Sequence, residues 1–262
     1  MLVLLSCTVY AQKSKHPLNS TSGLELQNVA AEAVKFKQKK SVKIYDLDPT
    51  KDTEQRLAKL AETDFHNGTI EVELSGDLLK TAGAEARGFV GIAFRIGQDN
   101  SSFECIYLRP TNGRAEDQVR RNHAVQYTSF PGFPWFKLRQ EFPKKYESYV
   151  DLAPGEWIKY KIDIQDATAR LYVHGAEQPT LIVTDLKLGE TEKGAVALWI
   201  GPGTEAHFRN LVITKRDWGW AKQWFHYFGK MAILAVKLQR LIKFDLTQLS
   251  WLKQYDSKSK YF

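Results

Sequence analysis

The feature that most constrains the fold is an alternation of apolar and polar residues with period two, which recurs between residues 24 and 215. Ile70, Val72 and Leu74 show it with their polar neighbours. The same pattern returns in four later segments: 90–96, 158–164, 169–173 and 196–200. Because successive side chains of a strand point to opposite faces, each segment predicts a β-strand.

The connections between these segments predict how the strands are arranged. They are rich in Gly, Pro, Asn and Asp, which is typical of tight turns between antiparallel strands. Residues 157–165 and 168–174 predict a hairpin. Many short strands without a convincing helix predict an all-β fold, a sandwich of two antiparallel sheets. Only 109–156 breaks the rhythm, with five prolines and several aromatic residues, and such a long insertion commonly carries function.

The charge is concentrated at one end of the chain. The 262 residues have a formal net charge of +7, but residues 216–262 contain nine Lys and Arg against three Asp and no Glu, and so carry +6 of it. The rest is nearly neutral, which argues against a nucleic-acid partner. A near-neutral body is also what a binder of an uncharged ligand can have. The two cysteines are too few for a disulfide scaffold.

Residues 1–11 are typical of a secretory signal segment. Leu2–Tyr10 is apolar and Ala11 follows it as a small residue at the predicted cleavage site. A second interpretation takes 4–7 as a lipoprotein box with Cys7 lipidated, and a third takes a plain frayed N-terminus. The first two predict an exported protein, periplasmic or extracellular, which the second anchors to lipid.

The tail, residues 216–262, has a composition of its own. Within it, 220–243 predict an amphipathic helix with a Trp- and Leu-rich stripe opposite a row of Lys and Arg. Such a helix could pack on the sandwich or on a second subunit, or lie on an anionic membrane surface. A disordered extension is the third alternative.

Six short motifs in the body carry a family resemblance. They are Arg87–Arg95, Phe103–Pro110, Ala124–Tyr127, Gly155–Trp157, Leu171–Val173 and Gly203–Leu211. With them, residues 24–215 resemble the 3-keto-disaccharide hydrolase domain, a glycoside-hydrolase-16-like branch of the concanavalin A-like lectin/glucanase superfamily. The resemblance implies a curved jelly-roll sandwich whose concave face binds sugar, in an exported protein.

The expected chemistry departs from that of the superfamily's glucanases. Those enzymes carry a Glu-x-Asp-x-(x)-Glu strand, and the nearest segment here, 71–73, has no Asp and no third acid, so a retaining Glu pair is not supported. A 3-keto sugar, which the resemblance implies, has an acidic C2–H. One base could remove that proton and expel the C1 substituent, with cations stabilising the enolate. Glu104 and His123 are the candidate bases, and Arg95 or Arg109 the candidate cation.

Strand alternation also predicts a sugar-binding floor. Arg95 follows Gly91 and Ala93 on one face, and Trp199 follows Ala197, so small residues surround one Arg and one Trp. A solvent-exposed face with a stray Trp is the alternative. The predicted substrate-binding residues are Arg95, Tyr107, Arg109, Arg121, Asn122, Gln126, Tyr127, Trp135 and Trp199.

These observations favour a protein that cleaves glycosidic bonds of 3-keto-disaccharides or glucosides. The alternative is a lectin-like carbohydrate-binding module without catalysis. We expect no cofactor, because no spacing of His, Cys, Asp and Glu is typical of a transition-metal site. Loop oxygens leave room for a structural calcium ion. Convergence of Glu104, His123 and the arginines with Trp199 in one pocket would favour the enzyme.

Overall fold

A computed structural model describes residues 11–216 of the chain. The predicted signal segment 1–11, apart from its last residue, and the predicted helical tail 216–262, apart from its first, lie outside the described residues. The described part is a sandwich of two antiparallel sheets with very few helical residues, as the alternation predicts.

One sheet has eight strands, and all its neighbouring strands are antiparallel. Their spatial order is β13 (Leu181–Val183), β12 (Thr168–Val173), β11 (Ile158–Gln165), β6 (Gly68–Leu78), β15 (Thr204–Arg216), β4 (Lys39–Asp46) and β3 (Val29–Phe36), with β1 (Ala11–His16) also paired to β15. The predicted hairpin is confirmed as β11 and β12, in the register that pairs Gln165 with Thr168. Strand β1 precedes residue 24, where the family resemblance begins.

The other sheet has seven strands, and its neighbouring strands are also antiparallel. Their spatial order is β10 (Glu147–Ser148), β9 (Val125–Phe130), β8 (Phe103–Leu108), β7 (Val90–Ile96), β14 (Ala195–Ile200), β5 (Leu57–Leu60) and β2 (Leu24–Gln27).

The hydrophobic core fills the space between the two sheets. Ile70 and Leu74 contribute to it from the eight-stranded sheet, and Ile92, Ile106 and Leu198 from the seven-stranded one, all fully buried. Burial of these side chains is the main stabilising contribution to such a fold.

The insertion 109–156 is ordered and carries the helical residues of the described region. It contains a 3₁₀ turn (Pro110–Asn112), helix α1 (Gln118–Asn122) and helix α2 (Trp135–Glu141), as well as β9 and β10. The Asp117 carboxylate caps α1 by accepting hydrogen bonds from the backbone N–H groups of Val119 and Arg120. Between residues 11 and 216, no helix has the length and apolar character needed to cross a membrane.

Replacing His207 with phenylalanine is expected to reduce the loss of unfolding free energy that acidic pH causes. His207 stacks on Phe36 with ring centroids 3.9 Å apart, and its Nδ1 is buried without a hydrogen-bond partner. Burial lowers its pKa to about 4. The unfolded chain therefore binds a proton that the native chain does not, and stability falls as the pH drops from about 6.5 to about 4.

Urea unfolding at several pH values, followed by Trp fluorescence, measures this effect. Phenylalanine keeps the stacked ring and has no proton to bind, so the His207→Phe variant should lose less stability between pH 6.5 and pH 4 than the parent. Equal losses in both proteins would contradict the assignment to His207.

Candidate functional site

The candidate site is a cleft on the outer face of the seven-stranded sheet, the face turned away from the core. Ile92, Ile106 and Leu198 point into the core, whereas Tyr107 and Trp199 belong to a separate buried cluster. The cleft has a volume of about 460 Å³. It is lined by Glu54, Glu85, Arg87, Phe89, Tyr107, Arg109, Asn112, Asp117, Val119, Arg120, His123, Trp135, Arg139, Trp199 and Pro202.

Two stacked aromatic rings form the floor. Trp199 on β14 and Tyr107 on β8 both pair with Gly91 on the intervening β7, and their ring centroids are 4.7 Å apart. A Cβ atom on Gly91 would lie 2.3 Å from the carbonyl oxygen of Ile106, so this position requires glycine. Small residues beside Trp199 were predicted from the alternation, and Gly91 is where they matter most.

Arg109 brings a fixed cation to the floor. Its guanidinium carbon lies 5.1 Å from the Tyr107 ring centroid. It donates hydrogen bonds to the backbone oxygen of His123 at 2.9 Å, to the Tyr107 hydroxyl at 3.1 Å and to Oε1 of Gln126 at 3.2 Å. These bonds hold a charged donor group in one orientation, which favours recognition of an oxygen-rich ligand or of a developing oxyanion.

His123 lies at the wall of the cleft, next to the carboxylate of Glu147. Nδ1 of His123 lies 2.9 Å from Oε2 of Glu147, and Arg139 contacts Oε1 of the same carboxylate at 2.5 Å. Burial lowers the pKa of His123, which outweighs the opposite effect of Glu147. The imidazole is therefore mainly neutral near pH 7, the form that can accept a proton.

Trp135 supplies an exposed aromatic surface at the rim. It begins helix α2, and its side chain is 38% exposed. The guanidinium carbon of Arg139 lies 4.7 Å from its ring centroid, a cation–π contact. An indole supported in this way offers a flat apolar surface against which a sugar ring can pack.

Glu54 lines the cleft and was not predicted from the sequence. Its backbone oxygen accepts a hydrogen bond from Nε1 of Trp199 at 2.8 Å. Burial raises the pKa of its carboxyl group, against the opposing influence of Arg56 and Arg109. Among residues 11–216, nothing donates a hydrogen bond to its carboxyl oxygens. A half-buried carboxyl group of this kind, with a raised pKa and no partner, is a candidate proton donor.

The structure places the predicted base Glu104 elsewhere. Its carboxylate lies on the core side of β8 and is fully buried. It accepts hydrogen bonds from the hydroxyl of Tyr127 and from the backbone N–H of Leu188 at 2.7 Å. Glu104, predicted as a base, and Tyr127, predicted to bind substrate, therefore do not line the cleft. The two side chains satisfy one another inside the sandwich, where a buried polar group needs a partner.

Arg95 also leaves the predicted face. It has φ +54° where the β7–β14 register shifts, so the extra residue of a bulge turns its side chain away from Gly91 and Ala93. Its guanidinium is buried and donates to the backbone oxygens of His66, Gly189 and Asp166. Arg95 therefore connects loops at one end of the sandwich. It does not line the cleft, contrary to its prediction as a substrate-binding residue.

Three further predicted residues lie beside the cleft rather than on its lining. Gln126 is fully buried and supports Arg109 from below. Arg121 donates a hydrogen bond to the hydroxyl of Tyr149 at 2.9 Å. Asn122 borders a smaller neighbouring pocket of about 220 Å³ that shares His123 with the cleft. Of the predicted residues, Tyr107, Arg109, His123, Trp135 and Trp199 do line the cleft.

Other surfaces are less suited to chemistry. A groove of about 550 Å³ on the outer face of the eight-stranded sheet is lined by acids and bases that face each other across strands, such as Lys161 and Glu71 at 3.8 Å. Within the described residues, no three His, Cys, Asp or Glu side chains form a group that could hold a metal ion.

The comparisons with known proteins bear on the fold. No protein-family model matches the sequence, and no curated protein matches it. The structure is similar to a protein of unknown function with a galectin-like fold from Bacillus subtilis, with 11% identity and a TM-score of 0.50, covering 78% of this chain and 96% of that one.

Two further solved structures align at lower TM-scores. One is a beta-glucanase from Bacillus licheniformis, with 16% identity, TM-score 0.42 and coverage of 78% of this chain and 98% of that one. The other is domain 4 of the arabinanase AbnA from Geobacillus stearothermophilus in complex with arabinotriose, with 14% identity, TM-score 0.41 and coverage of 78% and 82%. At such identities the likeness concerns the fold alone, a sandwich of two antiparallel sheets that this chain shares with the protein of galectin-like fold.

Proposed function

We propose that the cleft binds a carbohydrate and cleaves the glycosidic bond of a sugar oxidised at C3. The observation that carries this proposal is the convergence of the exposed Trp135 ring, the fixed guanidinium of Arg109 and the His123 imidazole on one cleft. Aromatic rings suit the C–H face of a pyranose, and oriented polar groups suit its hydroxyls.

The proposed reaction is an elimination. The C3 ketone acidifies the C2–H bond, and neutral His123 removes that proton. The electron pair forms the C1–C2 double bond, and the C1–O bond breaks. Arg109 stabilises the enolate oxygen, and the leaving oxygen takes a proton from the carboxyl group of Glu54, whose pKa is raised by burial.

A carbohydrate-binding module without catalysis is the second candidate. It is favoured because the carboxylate of Glu147 already has partners. Arg139, Arg109 and His123 all lie within ion-pair distance of it. With Glu147 occupied, a pair of free carboxylates does not flank the cleft among residues 11–216, and two-carboxylate hydrolysis of an unoxidised glycoside has no support.

Turnover of a 3-keto-glucoside, compared with the unoxidised parent glucoside, distinguishes these functions. We expect release of the aglycone from the ketone alone, because only its C2–H is acidic enough for a single base to remove. Titration calorimetry with both compounds measures binding separately. Binding without turnover of the ketone would establish the binding module and contradict the enzyme.

A further inference from the structure

Three arginines meet at the side of the cleft around the 3₁₀ turn. Arg120 donates to Oδ1 of Asn112 at 2.9 Å and to the hydroxyl of Thr111 at 3.2 Å. Asn112 in turn donates to the backbone oxygen of His123, which also accepts from Arg109. This network links the guanidinium of Arg120 to that of Arg109 through Asn112 and the backbone oxygen of His123.

Arg87 joins the same cluster from the other side of the turn. Its backbone oxygen accepts a hydrogen bond from the backbone N–H of Thr111 at 3.3 Å. Its own pKa is lowered by burial and by the neighbouring positive charges of Arg120 and Arg109. Arg87, Arg109 and Arg120 all line the same cleft, and positive charges gathered in this way repel one another.

Nearby acids compensate this charge only in part. Glu147, beside the cleft, lies within ion-pair distance of Arg109, with Oε1 3.5 Å from the guanidinium. Glu85 pairs with Arg87 but is almost wholly exposed, and Asp117 is used in capping helix α1. Burial raises the pKa of the Glu54 carboxyl group, against the opposing influence of Arg56 and Arg109. Arg120 forms no ion pair with any residue between 11 and 216, and its partners there are neutral.

We infer that Arg87, Arg109 and Arg120 form an anion subsite, and that the carbohydrate bound in the cleft carries an anionic oxygen group. This inference rests on the proposed function, since it names the class of sugar that the same cleft takes. A uronic acid carboxylate and a sulfate ester share the needed chemistry, because a guanidinium can donate two parallel hydrogen bonds to either. The near-neutral charge of the body, which suggests an uncharged ligand, conceals this local excess.

Binding of matched acidic and neutral sugars by the full chain tests the inference. Glucuronate, galacturonate and mannuronate oligosaccharides are each compared with their methyl esters, and a sulfated galactan with its desulfated form. We expect at least one acidic member to bind about 10-fold or more tightly than its neutral match, as for charged hydrogen bonds. The carboxylate and sulfate arms identify which anion is used.

Two further measurements assign the preference to the subsite. Raising NaCl from 50 to 300 mM should weaken acidic binding and leave neutral binding unchanged, and this needs no variant. Arg120→Gln should lose about 10- to 100-fold in affinity for the acidic sugar, while Arg120→Lys keeps part of it. Arg170→Gln, on β12 of the other sheet, removes the same charge away from the cleft and should change nothing.

The outcomes separate this inference from the proposed function. Equal binding of neutral and acidic sugars, with turnover of the 3-keto-glucoside, would overturn the anion subsite and leave the cleft as a carbohydrate site. Failure of every acidic sugar to bind would also overturn it. Acidic binding that Arg120→Gln leaves unchanged would place the anion elsewhere.

Discussion

Replacing His123 with alanine is expected to lower kcat/KM for the 3-keto-glucoside by about 10²- to 10⁴-fold, the usual contribution of a general base. Sugar affinity should change little, because the exposed ring of Trp135 and the guanidinium of Arg109 remain. The fold should also persist, since Arg109 and Asn112 bond to the backbone oxygen of His123 rather than to its ring. Stopped assays of aglycone release and calorimetry of ketone binding measure the two effects separately.

The pH dependence of kcat/KM is a second, independent test of the role of His123. Only neutral imidazole accepts a proton, and burial lowers the pKa of His123 below 6.5. The acid limb of kcat/KM should therefore lie below pH 6.5. Glu147→Gln removes the charge that raises this pKa, and should shift the limb to still lower pH. A loss of activity without a shift would reduce Glu147 to a structural role.

His174→Asn is the matched control for His123→Ala. His174 adopts φ +60°, a conformation that asparagine tolerates, and its Nε2 contacts the backbone oxygen of Asp151, away from the cleft lining. Its kcat/KM should equal that of the parent. If His123→Ala retains full turnover as well, the proton is removed by another group.

The strands and the floor of the cleft could be predicted because period-two alternation is a local signal. It assigns Ile92 to the core and Gly91 to the opposite face, and the same reasoning places Trp199 beside Ala197. The prediction fails at Arg95, which has a positive φ at a β-bulge. The bulge inserts one extra residue into the strand, so the side chains that follow point to the opposite face. Alternation carries no sign of such a bulge.

The remaining errors have non-local causes. Every residue of β8 is buried, on both faces of the strand, so polarity could not tell which way Glu104 points. The contact between His123 and Glu147 depends on the pairing of the two-residue strand β10 with β9, which sequence spacing does not specify. Glu54 lies in an irregular loop, and its position depends on a buried arginine two residues later.

That arginine, Arg56, is the centre of the loop that carries Glu54. Its Nε donates to the carboxylate of Asp46 at 2.8 Å, and both side chains are almost fully buried. Its other nitrogens donate to the backbone oxygens of Asp48 at 3.0 Å, Lys51 at 2.9 Å and Thr53. A carboxylate and three carbonyls around one guanidinium fix the loop as a bound cation would.

Arg56→Ala is therefore expected to destabilise the protein by about 3–5 kcal/mol, the usual cost of removing one partner of a buried ion pair. The Asp46 carboxylate would stay buried with only the backbone N–H groups of Asp48 and Gly203 as donors. Urea unfolding followed by Trp fluorescence measures the loss. Lys193→Ala breaks the exposed pair with Asp64 and should change stability by less than about 0.5 kcal/mol.

A double-mutant cycle decides whether the cost comes from the uncompensated charge. With Asp46→Ala added to Arg56→Ala, no carboxylate is left buried, so the double variant should lose less than the sum of the two single losses. Additive losses would mean that Arg56 acts through its bonds to the loop carbonyls instead. In that case Arg56→Ala should still displace Glu54. Two contacts hold this residue in place: Trp199 donates to its backbone oxygen, and Arg56 binds its loop, and the variant removes the second.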